Sequence, residues 1–129
     1  MDTVLHQAVE AGNLRTCQYL TRGKGKEAFI NQPGDAVWTA LHVAVEDGHL
    51  EIAARLLRKG ADPNLKADKY GLTPLILAVF SGNLEMCQLL LRHGADINLP
   101  DNQGGTALAC AKGLKHTEIV TWLKTEGAK

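Results

Sequence analysis

Five histidines and three cysteines are the side chains best suited to chemistry: His6, His42, His49, His93 and His116, with Cys17, Cys87 and Cys110. Such a set could hold zinc, or supply a nucleophile and its base. The spacing supports neither, because no pair has zinc-motif spacing and no Cys-x-x-Cys occurs. A serine nucleophile would have to be Ser81, the only serine, and no partner base can be identified for it. Gly23-Lys-Gly-Lys26 is shorter than a phosphate-cradling G-x-x-x-x-G-K loop. No catalytic residue, metal or cofactor is therefore expected, and an enzyme is the minor reading. Three cysteines are too few, and odd in number, for a disulfide framework.

The elements that carry these residues repeat. Thr3, Thr39, Thr73 and Thr106 are spaced 36, 34 and 33 residues apart. A period in the low thirties marks stacked helical units. Each Thr opens a similar stretch: Thr3-Val-Leu-His-Gln-Ala, Thr39-Ala-Leu-His-Val-Ala, Thr73-Pro-Leu-Ile-Leu-Ala and Thr106-Ala-Leu-Ala-Cys-Ala. The Thr hydroxyl suits an N-cap, and Pro74 suits the first helical turn. The recurrent Leu and Ala (Leu41 and Ala44 in the second unit) mark buried positions, the Ala where helices approach too closely for a larger side chain. Gly12, Gly48 and Gly82 end these first helices, since glycine tolerates the left-handed conformation.

A second helix follows, with apolar positions Ile52, Ala53, Leu56 and Leu57, then Met86, Cys87, Leu90 and Leu91, then Ile119, Val120 and Leu123. Basic residues at its end, such as Arg58, Lys59 and Arg92, complement the helix dipole. Cys17 and Cys87 share one position two units apart, so burial without bridging is expected. Tyr19 and Trp122 occupy an outer-helix position read as packing.

Fourteen basic residues balance fourteen acidic ones, which disfavours nucleic acid as a partner. No apolar run is long enough to span a membrane, and the first residues do not resemble a signal peptide, so a cytoplasmic or nuclear location is expected.

The T-P-L-H-x-A type openings, together with Gly60-Ala-Asp-Pro-Asn64 and Gly94-Ala-Asp-Ile-Asn98, resemble the ankyrin repeat across the whole chain. The resemblance implies an all-α solenoid of four helix-turn-helix units with projecting hairpin fingers. The expected organisation is a single domain over 1–129, with repeats near 1–33, 34–67, 68–100 and 101–129. It implies a non-catalytic, monomeric scaffold or adaptor that binds a protein or peptide on a concave face, as inhibitor or regulator. The alternative is a targeting or recruitment module of a larger protein. His6 and His42 fall where the family's histidine braces the turn. Asn64 and Asn98 sit where animal ankyrin repeats can be hydroxylated, although bonding to the turn backbone is sufficient reason for them.

Polar residues replace expected apolar or glycine positions at both ends, Gln7, Gln18 and Thr21 at one and Lys112, Lys115 and Lys124 at the other, which reads as capping of a complete domain. Asn31 lies 28 residues after Thr3, against 25 for the equivalent Asn64 and Asn98, placing an insertion near Gly23-Lys-Gly-Lys26. Val37 replaces the turn glycine of the second finger, whose tip should differ.

In this frame, the partner-facing positions are Asp35, Trp38, Glu46, Asp47, Lys69, Tyr70, Leu72, Phe80, Ser81, Asn102 and Gln103. Ala36, Gly105, Gly113, Leu114, Glu10 and Ala11 hold equivalent places. Three of six aromatics fall in this set, and clustered apolar side chains on an exposed face suggest contact. Glu10, Asp35, Glu46 and Asp47 form an acidic flank. The expected partner inserts apolar side chains near Trp38, Tyr70 and Phe80 and carries basic groups.

Overall fold

A computed structural model describes residues 3–23, 25–33 and 38–129. These form nine helices: α1 (Val4–Glu10), α2 (Leu14–Leu20), α3 (Glu27–Ile30), α4 (Ala40–Glu46), α5 (Leu50–Arg58), α6 (Pro74–Phe80), α7 (Leu84–Arg92), α8 (Ala107–Leu114) and α9 (Thr117–Thr125). Four pairs, α1/α2, α4/α5, α6/α7 and α8/α9, are the expected units. The first helices stack in chain order, α1 on α4, α4 on α6 and α6 on α8. The fold is the all-α ankyrin solenoid.

All four period-marking threonines are N-caps, their hydroxyls accepting the N–H of His6, His42, Ile76 and Ala109. The recurrent leucines Leu5, Leu41, Leu75 and Leu108 and the alanines Ala44, Ala78 and Ala111 are buried in one continuous core. Cys17 and Cys87 are buried within it and unbridged. Burial pushes the Cys87 thiol up to about 12, so it stays protonated and inert.

Unit four lacks the glycine that ends the other first helices. Lys115 takes its place in the left-handed region at φ 61°, matching Gly12, Gly48 and Gly82 at 70°, 73° and 68°. A non-glycine residue there costs about 1–2 kcal/mol. Part of that is offset by glycine's freer unfolded chain. Lys115→Gly should therefore raise stability by about 0.5–1 kcal/mol, read as a higher urea midpoint. A lower midpoint would show that the lysine side chain contributes more than the strain it causes.

Two end positions depart from expectation. Thr21 is fully buried rather than a solvent-facing cap. Its hydroxyl donates to the Cys17 carbonyl at 2.6 Å and accepts from Arg55 Nε at 3.0 Å, and Arg55 also donates to the Gln18 carbonyl. A side chain from unit two thus reaches back to satisfy unit one. Tyr19 is 65% exposed, not packed, with the Arg22 guanidinium 4.4 Å from its ring centroid. Its frame equivalent Trp122 is half-buried against the core, as expected. Gln7, Gln18, Lys112 and Lys124 are exposed.

Within the insertion, Lys24 lies outside the described residues. Gly23 and Gly25 have positive φ, and α3 follows, burying Ile30. The second finger's tip, Gly34 to Val37, is also outside the described residues.

Candidate protein-interaction surface

The face formed by finger tips and first-helix ends rests on hydrogen bonds that cross between units. His42 is fully buried, and its Nε2 donates to the Leu72 carbonyl at the base of the next finger, 3.1 Å away. That donation leaves Nδ1 to accept, from the Thr39 hydroxyl at 2.7 Å and the Thr39 backbone N–H at 3.3 Å. The ring is therefore the neutral Nε2–H tautomer, assigned from its partners. Burial holds it below the ordinary imidazole range, against the opposing pull of the Leu72 carbonyl. His6 repeats the arrangement, 2.6 Å from the Thr3 hydroxyl and 2.9 Å from the Trp38 carbonyl. The family's bracing histidine is thus present twice. Ile76 and Ala109 hold its place in units three and four.

The third finger closes through reciprocal backbone bonds between Ala67 and Leu72. Asp68 turns its tip at φ 51° and accepts the Tyr70 N–H. Asn102 of the next finger donates from its backbone to the Tyr70 carbonyl and from its side chain to the Lys69 carbonyl. A Cβ at Gly71 would overlap the Asn102 amide, so the close finger-to-finger approach requires glycine there.

A second line of bonds runs through the turns after α3, α5 and α7. Asn31 donates to the Gly60 carbonyl and accepts the Asp62 N–H. Asn64 does the same with Gly94 and Asp96. Asn98 accepts the Lys129 N–H. Each asparagine side chain thus bonds the backbone of the next unit's turn. That accounts structurally for Asn64 and Asn98.

The expected partner-facing residues divide on this scaffold. Glu46, Asp47 and Ser81 are exposed at the ends of α4 and α6, as are Glu10 and Ala11 at the end of α1. Phe80 is 44% exposed and Tyr70 51%, the latter with Lys69 Nζ 5.2 Å from its ring centroid. Lys69, Asn102 and Gln103 are exposed in the fingers. Leu72 is half-buried against the core. Trp38 is also half-buried: its ring lies 5.9 Å from that of His42, and its indole N–H donates to Asp68 at 3.3 Å. It therefore braces the next finger as well as reaching the surface. Asp35 lies outside the described residues. Leu114, at the end of α8, is 47% exposed. Its place in the repeat frame is the sequence signal for it.

Among the described residues no group of three or more His, Cys, Asp or Glu side chains could hold a metal ion. No described helix is long and apolar enough to cross a membrane.

A family model described as ankyrin repeats in many copies matches residues 5–57, 41–91 and 81–123. The chain belongs to the ankyrin-repeat family. Human protein phosphatase 1 regulatory subunit 27 is 41% identical over 64 residues, covering 50% of this chain and 40% of that protein. Human NF-kappa-B inhibitor alpha is 39% identical over 77 residues, covering 59% of this chain and 24% of the inhibitor. Mouse 2-5A-dependent ribonuclease is 39% identical over 77 residues, but only 10% of that protein is matched. The chain thus spans less than half the length of these relatives. The repeats, with relatives named as a regulatory subunit and an inhibitor, support a protein-interaction role.

Proposed function

We propose that the chain is a non-catalytic scaffold that grips a protein partner on the concave face formed by its fingers and first helices, as an inhibitor or regulator of that partner. The carrying observation is the exposure of Phe80 and Tyr70 on a face whose other end is acidic. Large apolar side chains on a surface otherwise rich in charge mark a contact patch. Relatives named as a regulatory subunit and an inhibitor favour regulation of a partner over catalysis. The ribonuclease likeness lends no nuclease activity here, because it covers so little of that enzyme.

Trp38 is a poor probe of this reading, since truncating it would also remove the bond to Asp68. Tyr70→Ser/Phe80→Ala is cleaner, because both side chains are exposed and helicity should not change. Affinity capture with the wild type, this variant and an outer-helix control, Glu85→Lys, separates the faces. A partner retained by the control and lost by the double variant is expected. A partner retained by the double variant and lost by the control would place the contact on the outer helices.

A further inference from the structure

We propose that the depression beside the Gly23-Lys-Gly-Lys26 insertion binds a phosphoryl group carried on a segment of a partner protein. The site goes beyond the interaction face above and shares no residue with it. The insertion follows α2, and the end of α5 reaches it across the unit boundary, where Lys59 Nζ donates to the Gly23 carbonyl at 3.1 Å. There a cavity of about 380 Å³ is lined by Gly23, Gly25 and Lys26 from unit one and by Arg58, Lys59 and Gly60 from unit two. That volume suits a phosphoryl group with the side chain that bears it. Gly23 and Gly25 have φ of 87° and 77°, and a Cβ at either would meet nothing within 4 Å. Glycine is therefore required there by the turn and not by crowding, and the bare backbone leaves the cavity open to a ligand.

Three cations line this cavity, and among the described residues no carboxylate does. Lys26 and Arg58 are exposed, and among the described residues neither side chain has a hydrogen-bond or ion-pair partner. Lys59 uses one N–H on Gly23 and keeps two. Complementing the α5 dipole accounts for Arg58 and Lys59, but not for Lys26, which the insertion supplies from another unit. The frame equivalents in unit three, Arg92 and His93, have the same dipole role, and the preceding unit carries no insertion. A carboxylate would bring one charge, whereas a phosphoryl group brings about −1.5 to −2 and three acceptor oxygens. Arg58 offers it a bidentate fork and the two lysines offer point charges. A single concavity takes one such group, not the run of phosphates along a nucleic acid, and a chain without net charge does not draw a polyanion from a distance.

The test is an amide NMR titration of the full chain with the peptide Ala-Gly-Ser-Gly-Ala phosphorylated on its serine, with the same peptide unphosphorylated, and with inorganic phosphate. The Gly23, Gly25 and Gly60 signals should move with the phosphopeptide and saturate at about tenfold lower concentration, or less, than with the unphosphorylated peptide. Lys26→Ala/Arg58→Ala should abolish that preference, whereas Arg92→Ala and Phe80→Ala should keep it. An equal response to both peptides, or a preference that survives Lys26→Ala/Arg58→Ala, overturns the site. A preference lost equally in Arg92→Ala also overturns it, as general charge attraction. Signals moved by inorganic phosphate and not by the phosphopeptide overturn the partner-borne ligand, as does capture on phosphatidylserine vesicles without a response to the phosphopeptide. The interaction face stands or falls separately, because Phe80→Ala lies outside this site.

Discussion

Replacing His42 by Ala should destabilise the protein by about 3 kcal/mol. The ring is fully buried and bridges units two and three, from the Thr39 cap to the Leu72 carbonyl. The bonds to the Thr39 hydroxyl and the Leu72 carbonyl remove about 1 kcal/mol each, the longer 3.3 Å bond from the Thr39 N–H adds little, and the unfilled space where the ring stood adds a cavity term of about 1 kcal/mol. The Leu72 carbonyl keeps its bond from the Ala67 N–H, so it is not orphaned and the loss stops short of that larger penalty. Urea unfolding at pH 7.5 would read the difference. A loss under about 1 kcal/mol would mean the bridge adds little beyond local packing.

The same residue predicts a pH dependence. Its folded pKa lies below the unfolded value, so the unfolded chain binds the proton more readily. The contribution of neutral His42 is complete above about pH 6.5 and declines as the pH falls from there toward the folded pKa. Within that window the wild type should lose up to about 1.4 kcal/mol per pH unit through this group. The stability gap between wild type and His42→Ala should therefore narrow between pH 7.5 and 5.5. A gap that stays constant or widens would contradict a buried neutral ring.

Leu75→Ala should cost more, about 3–4 kcal/mol within the range for buried leucines. Leu75 is buried in α6, which packs on α4, α7 and α8. Solenoid stability is a sum of unit and nearest-neighbour terms, so damage in an inner unit weakens both of its interfaces. Beyond a lower midpoint, the expected signature is a shallower urea transition, as the units on either side uncouple. A small loss with an unchanged slope would show that α6 repacks around the gap.

Much of this architecture was legible because repetition supplies its own alignment. Aligning the four threonines correctly separated buried Leu41 and Ala44 from exposed Glu46 and Asp47, and the ankyrin resemblance located the bracing His6 and His42. What escaped the frame were side chains that cross between units. Thr21 reads as a polar cap until Arg55, 34 residues later, is seen bonded to it. Trp38 reads as a surface anchor until its bond to Asp68 and its contact with His42 half-bury it. Tyr19 reads as packing from its outer-helix position, where its equivalent Trp122 does pack, but burial there depends on what lies against the helix and not on the repeat frame. Asn102 has the place of a variable contact residue, yet its amide is used on the Lys69 carbonyl. These pairings are long-range and particular to one interface, so no periodic pattern encodes them.

The central claim, that a partner is held by the finger and first-helix face, is tested most directly by the dissociation constant of the captured partner. It should be measured against wild type, Phe80→Ala and the outer-helix variant Glu85→Lys, with helicity matched by circular dichroism. The account predicts binding to Phe80→Ala weakened about tenfold or more, as expected for a central aromatic anchor, and near-wild-type affinity for Glu85→Lys. Unchanged affinity for Phe80→Ala, with weakened binding to Glu85→Lys, would contradict it.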